Sequence, residues 1–310
     1  MTTTTTATLA QVVLNDTIGN NANYEKRVKG TVERQASIAE GLAPVEALIK
    51  KHTPLAASFD IGRTQPLYFS EFTYTEFLGN AVYVCPQSSE MAAIVVKKVA
   101  DSSQPSGDLG ALASNILAMT GAQDKYVGLT TDLPQYKSVI LLPGSNVLWK
   151  LVDEDMLRRV LHEDREAVIK PHPITSTEDL RKLKLIAGLH RILEPGASGY
   201  AVMCNATRVY ATSSTELAIY AYLKGKPVYN IGKFLTEYQG AYNALFMLAT
   251  TTPVRSKDPT LLGVLSNPLS GVFFKTDPNL ENNIIAYFKA VMELREVYAP
   301  VSSEMVALNK

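Results

Sequence analysis

Residues 138–173 read SVILLPGSNVLWKLVDEDMLRRVLHEDREAVIKPHP. This stretch decides the fold, because it places two short apolar runs on either side of an amphipathic helix. SVILL (138–142) is short, apolar throughout and stopped by Pro143-Gly144-Ser145, which predicts a buried strand. Asp153 opens a helix to about His162, with acidic residues where the helix dipole favours them. Ala167–Lys170 is a second strand, halted by Pro171-His172-Pro173. The alternation continues downstream. Ser176 or Thr177 caps a helix to about Leu189. A strand over Arg191–Leu193 ends in Glu194-Pro195-Gly196, and a short helix covers Gly199–Ala206. A strand over Val209–Ala211 runs into Thr212-Ser213-Ser214. A helix over Thr215–Leu223 stops at Gly225, and a last strand, Pro227–Ile231, ends at Gly232. Short apolar strands alternating with helices predict an α/β domain whose parallel sheet is covered on both faces.

The upstream half is also α/β, with a less definite order. A helix is expected over residues 24–51, extended segments over Leu55–Phe59 and Ala81–Cys85, and helices over Gln87–Val99 and Ala111–Gly121. A strand is expected over Tyr126–Leu129. Residues 1–22, rich in Thr and Asn, are expected to be frayed. A boundary near Leu133–Lys137 gives two domains, 1–136 and 137–310, and a long helix over Asn283–Tyr298 is expected to return toward the first.

Composition narrows the classes. The chain has 310 residues, 46% hydrophobic and 19% charged, which excludes a disordered polyelectrolyte or a collagen-like chain. The 30 basic and 30 acidic residues cancel, so no global field gathers nucleic acid or an anionic membrane. Residues 1–136 hold 10 basic against 13 acidic residues, and 137–310 hold 20 against 17. A small anionic ligand on the second half suits this balance better than a long polyanion. Cys85 and Cys204 are far apart, match no metal spacing, and are expected to be reduced buried thiols. The start has no basic segment leading into an apolar one, and no apolar run reaches about 20 residues. The sequence reading is therefore a cytoplasmic protein without a membrane span.

In a parallel sheet, ligands bind outside the carboxyl ends of the strands. Ser145, Lys170, His172, Glu194, Ser213 and Ser214 all fall there. Small hydroxyl residues between a strand and a helix make a phosphate cradle; a plain Ser N-cap with Glu216 in a capping box is the other reading. Two prolines hold His172 in a stiff turn, suited to presenting an imidazole to a phosphate. Glu194 suits ribose hydroxyls. Asp153-Glu154-Asp155 matches a metal-binding Asp-x-Asp pattern, but its place at a helix start favours capping, so no metal site is expected.

Lys170–Pro173 (KPHP), the Ser-Ser pair and ELAIYAYLKGKPVYNIG together resemble the C-terminal domain of GT-B glycosyltransferases, nearest to bacterial sialyltransferases and capsule-type transferases. The resemblance covers about residues 138–235. It implies two Rossmann-like domains facing a cleft, with the nucleotide bound by the C-terminal one. It implies a nucleotide-sugar as substrate, no separate cofactor, and a metal-independent transfer. By resemblance His172, Ser213 and Ser214 hold the donor phosphate, joined by Ser145 and Lys170, while Glu194 borders base and ribose. The acceptor is a hydroxyl, on a surface glycan or a hydroxylated DNA base. GT-B enzymes draw the acceptor base from the N-terminal domain. Asp60, at the end of an apolar run, is the first candidate there, against an ordinary Asx turn; Glu71 and Glu76, in the aromatic stretch 68–77, compete with it. An epimerase or hydrolase of the same architecture, and a non-catalytic nucleotide-binding module, are the alternative readings.

Overall fold

The computed structural model describes residues 21–53, 56–58, 72–86, 88–122, 133–213, 215–233, 245–246, 248–250 and 259–308. It is an α/β protein with two four-stranded sheets. The first half contributes α1 (Asn21–His52), β1 (Ala56–Ser58), β2 (Phe72–Phe77), β3 (Ala81–Pro86), α2 (Ser89–Ser102) and α3 (Leu109–Met119). The alternating region follows as β4 (Tyr136–Leu141), α4 (Leu148–Leu151), α5 (Glu154–Glu163), β5 (Ala167–Lys170), α6 (Thr177–Ala187), α7 (Gly199–Cys204), β6 (Ala206–Ala211), α8 (Leu217–Leu223) and β7 (Val228–Asn230). The chain ends in α9 (Thr260–Ser266), β8 (Val272–Phe274) and α10 (Leu280–Leu308).

The second sheet is parallel throughout, in the order β5-β4-β6-β7. Its central strand shows why the apolar run is continuous. Val139 and Leu141 face one core with α2, α3, α7, α8 and α9, while Ile140 and Leu142 face another with α4, α5 and α6. A strand covered on both faces has no polar side to alternate with. The strand expected at Arg191–Leu193 is reduced to a 3₁₀ turn, Leu189–Arg191, and a single parallel bridge from Ile192 to Ile169. Arg191 accounts for this: its guanidinium donates to the carbonyls of Leu161, Asp164 and Ala167, locking the segment under the sheet edge.

The first sheet corrects the expectation of two Rossmann-like halves. Its order is β1-β2-β3-β8; only β1–β2 is parallel, while β2–β3 and β3–β8 are antiparallel. The physical reason is the turn Leu78-Gly79-Asn80, too short for a crossover and long enough for a hairpin. The stretch after 137 contributes strands to both sheets. β3 is buried on both faces and needs a second neighbour, and fully buried β8 supplies it. The final helix returns as expected. Tyr287 on α10 packs against Phe72, Phe273 and Phe288 and donates its hydroxyl to Val84 O at 2.9 Å. The layers run from α1 and α10, through the first sheet, a central helical layer and the second sheet, to α4–α6. One continuous core joins the two sheets through that central layer. Tyr126–Leu129 lies outside the described residues.

Candidate functional site

The chain leaves β4 toward β5 on one side and leaves β6 toward β7 on the other. Strand order therefore reverses between β4 and β6, and a reversal of this kind opens a crevice at the strands' carboxyl ends. The loops after β4, β5 and β6 rim that edge of the sheet. They carry Ser145, His172 and Ser213.

The loops after β4 and β5 are fitted together. Ser176 N donates to Ser145 Oγ at 2.7 Å, so the Ser145 hydroxyl ties one loop to the other. Gly144 backs directly onto Ile174: a Cβ at 144 would lie 2.7 Å from both Cγ1 and Cδ1 of that side chain. Within the second loop, Thr175 N donates to His172 O at 2.9 Å and Ile174 N donates to His172 Nδ1 at 3.3 Å. A ring nitrogen that accepts carries no proton. Neutral His172 is thereby assigned the tautomer with its proton on Nε2, a donor suited to an anion.

Lys170, expected as a phosphate ligand, is turned into the protein. It is 3% exposed, and its ammonium donates to Pro171 O and, at 3.0 Å, to Pro195 O. It braces the Pro-His-Pro turn against the Glu194-Pro195-Gly196 turn. Burial pushes its pKa down to about 7, with Glu194 opposing that shift and Arg27 adding to it. A lysine pKa depressed in the fold means that the unfolded chain binds more protons between pH 7 and about 10.5. The lysine's contribution to stability therefore improves as pH rises through that window. Comparing wild type with Lys170→Met by denaturant titration, the difference should shift in favour of wild type by about 2 kcal/mol between pH 7 and 8.5. A pH-independent difference would contradict this protonation behaviour.

Glu194 is half-buried and sits in the electrostatic range of Lys170 and Arg27. On the other side of the crevice, Ser213 is half-buried in a turn closed by Thr215 N donating to Thr212 O at 3.1 Å. The N-cap reading of this serine fails. α8 begins at Leu217, and Glu216 occupies its N-cap without a side-chain capping bond. Ser214 lies outside the described residues, as do Asp60 and Glu71.

Contacts also define the surroundings of Asp153, Glu154 and Glu76. Asp153 caps α5 by accepting from Met156 N at 3.0 Å, while Glu154 pairs with Arg158 and Lys182. The Asp-x-Asp pattern is a helix start. Glu76 alternates with Phe72 and Tyr74 and stands opposite Val82, all three on the face packed by α1 and α10. That face is opposite the one that joins the core shared with the second sheet. No group of His, Cys, Asp and Glu suited to a metal ion occurs among the described residues. An apolar cavity of about 300 Å³ between α2 and α10, and a polar one of about 340 Å³ around Lys137, Asp164 and Arg208, are not lined by any residue of the three loops.

Arg27 joins this cluster without any signal in the sequence. It lies on α1, and its guanidinium donates from Nε to Pro173 O at 2.9 Å and from Nη2 to Thr175 O at 3.4 Å. Only the tertiary fold brings it there, because it is 146 residues from Pro173 and sits in an ordinary charged helix.

No protein-family model and no curated protein matches the chain. Among solved structures, it is similar to KpsC, a beta Kdo 2,7 transferase from Thermosulfurimonas dismutans, with a TM-score of 0.37 and 14% identity over 61% of this chain and 75% of that one. A likeness of this degree carries no statement about activity. No helix among the described residues is long and apolar enough to cross a membrane.

Proposed function

We propose that the chain is a glycosyltransferase whose nucleotide-activated donor places its phosphate in the crevice between β4 and β6. One observation carries the reading: the strand-order reversal falls between the loops bearing Ser145 and Ser213, with the His172 turn packed against the first of them. The reaction follows from the chemistry of such a donor. An acceptor hydroxyl attacks the anomeric carbon, the bond from that carbon to the phosphate oxygen breaks, and the electron pair leaves with the nucleotide. Negative charge grows on the departing phosphate. The Nε2 proton of His172, its ring preorganised by the bond from Ile174 N, stabilises it there, and the hydroxyls of Ser213 and Ser214 are proposed to join it. Lys170 adds a buried positive charge behind the turn when protonated, without direct contact. Glu194 is the proposed partner of the ribose hydroxyls. Asp60 is the proposed base for the acceptor proton, with Glu71 as its competitor. The acceptor is proposed to be a glycan or hydroxylated-base hydroxyl, and the transfer is proposed to need no metal.

The test is nucleotide release from a panel of nucleotide sugars, in the presence of EDTA, with and without an acceptor. Acceptor-dependent release supports a transferase. Release without acceptor points to a hydrolase. Binding without release points to a nucleotide-binding module.

A further inference from the structure

The loop 172–176 has no regular secondary structure, and its bonding shows what holds it. Inside the loop, His172 O accepts from Thr175 N, and His172 Nδ1 accepts from Ile174 N. Further partners come from outside the loop. Ser176 N donates to Ser145 Oγ. The carbonyls of Pro173 and Thr175, on either side of Ile174, accept from the Arg27 guanidinium. Ile174 is the residue whose backbone N–H fixes the His172 ring, so the two Arg27 bonds bracket the peptide units that set the imidazole's orientation. A guanidinium suits this task, because its rigid fork serves two acceptors at once. Arg27 is also within electrostatic range of Glu194 and Lys170, so its charge belongs to the same cluster. Farther along α1, Leu42, Val45 and Ile49 are buried against the first sheet. One helix thus grips the first sheet at one end and the His172 turn of the second sheet at the other.

We propose that Arg27 is a positioning residue: it clamps the loop 172–176 so that His172 presents Nε2–H to the donor phosphate, making the placement of α1 a condition for a competent donor site. The link to the donor phosphate rests on the function proposed above; the clamp itself does not. Without the guanidinium, both carbonyls turn to water and the loop reaches other conformations. Ile174 N–H then leaves the ring, and the tautomer preference of His172 goes with it.

The experiment uses the full chain with Arg27→Met, which keeps the aliphatic stem but has no donors, and Arg27→Lys, which keeps the charge and one donor group. Two readouts do not depend on activity. Hydrogen exchange of the peptide spanning 171–177 should rise about tenfold in Arg27→Met and less in Arg27→Lys. Long-range ¹⁵N spectra of the His172 ring should show one Nε2–H tautomer in wild type and a mixture in Arg27→Met. The kinetic readout is the split between donor KM and kcat: kcat should fall by more than KM rises, with partial recovery in Arg27→Lys. Unchanged exchange and ring spectra in Arg27→Met, with the variant folded, would overturn the clamp. A loosened loop with unaltered kcat and KM would overturn its positioning role. If wild type binds no nucleotide, the donor reading fails, while the exchange and ring measurements still decide whether Arg27 holds the turn.

Discussion

His172→Ala is expected to lower glycosyl transfer by about 10²–10³-fold while weakening nucleotide binding by less than about tenfold. The two numbers differ for a physical reason. A bound donor phosphate is already satisfied in part by hydroxyls and water, so losing one imidazole donor costs little in the ground state. During bond cleavage the leaving phosphate gains charge, and a fixed Nε2–H becomes worth more at that moment. The ring is held by Ile174 N, and its turn by Thr175 N, so the donor needs no reorganisation as charge develops. His172→Gln restores an N–H donor without the ring and should recover part of the rate. Equal losses in kcat and in donor affinity would place His172 in ground-state binding, and full turnover in the alanine variant would make it structural.

Gly144→Val should be the most damaging single change in the β4 loop. Any Cβ at 144 meets Ile174 at 2.7 Å and Asn146 Oδ1 at 2.8 Å. A valine adds two methyls where the first atom already collides. The side chain of Ile174 can yield more easily than the sheet, so the stability loss should stay at about 1–3 kcal/mol, typical of overpacking. The displaced residue is the one whose amide orients His172. Nucleotide affinity should therefore fall about 10–100-fold, more than the change in stability alone would suggest. Chemical denaturation and calorimetric titration of the same preparation separate the two effects. Normal affinity in Gly144→Val would show that the packing of these loops does not matter to the site.

The second sheet was legible in the sequence because its strands are buried on both faces. SVILL and AVIK are short apolar runs with abrupt Pro stops, and the helices between them carry their own caps, such as Asp153 and Ser176. The strand at 191–193 was misread because Ile192 and Leu193 are buried like strand residues, while Arg191 spends its guanidinium on three carbonyls and holds the segment in a turn. The first sheet was not legible as a topology. β8 is only three residues long, and its partner β3 is nearly two hundred residues earlier, a pairing that no local pattern records.

The candidate site was legible in part for the same reason. His172, Ser145 and Ser213 stand at strand ends, and strand ends could be read from local pattern. Lys170 stands at one too, but its four-carbon stem let it fold back into the protein and donate to Pro171 and Pro195 instead of facing outward. Period-two alternation assigns Glu76 a face only once the partner strand is known, and Val82 opposite it marks the face packed by α1 and α10. Arg27 had no sequence signal at all, since its contacts exist only after α1 meets the second sheet.

The central claim is that the crevice between β4 and β6 holds a nucleotide phosphate through the turn after β6. The direct measurement is calorimetric titration of the full chain with a panel of nucleoside mono- and diphosphates, repeated on Ser213→Ala/Ser214→Ala. The account predicts that wild type binds at least one of them and that the double variant, still folded, binds it about tenfold or more weakly, as the loss of hydroxyl bonds to a charged group requires. A wild type that binds none of them, or a double variant with unchanged affinity, would contradict it.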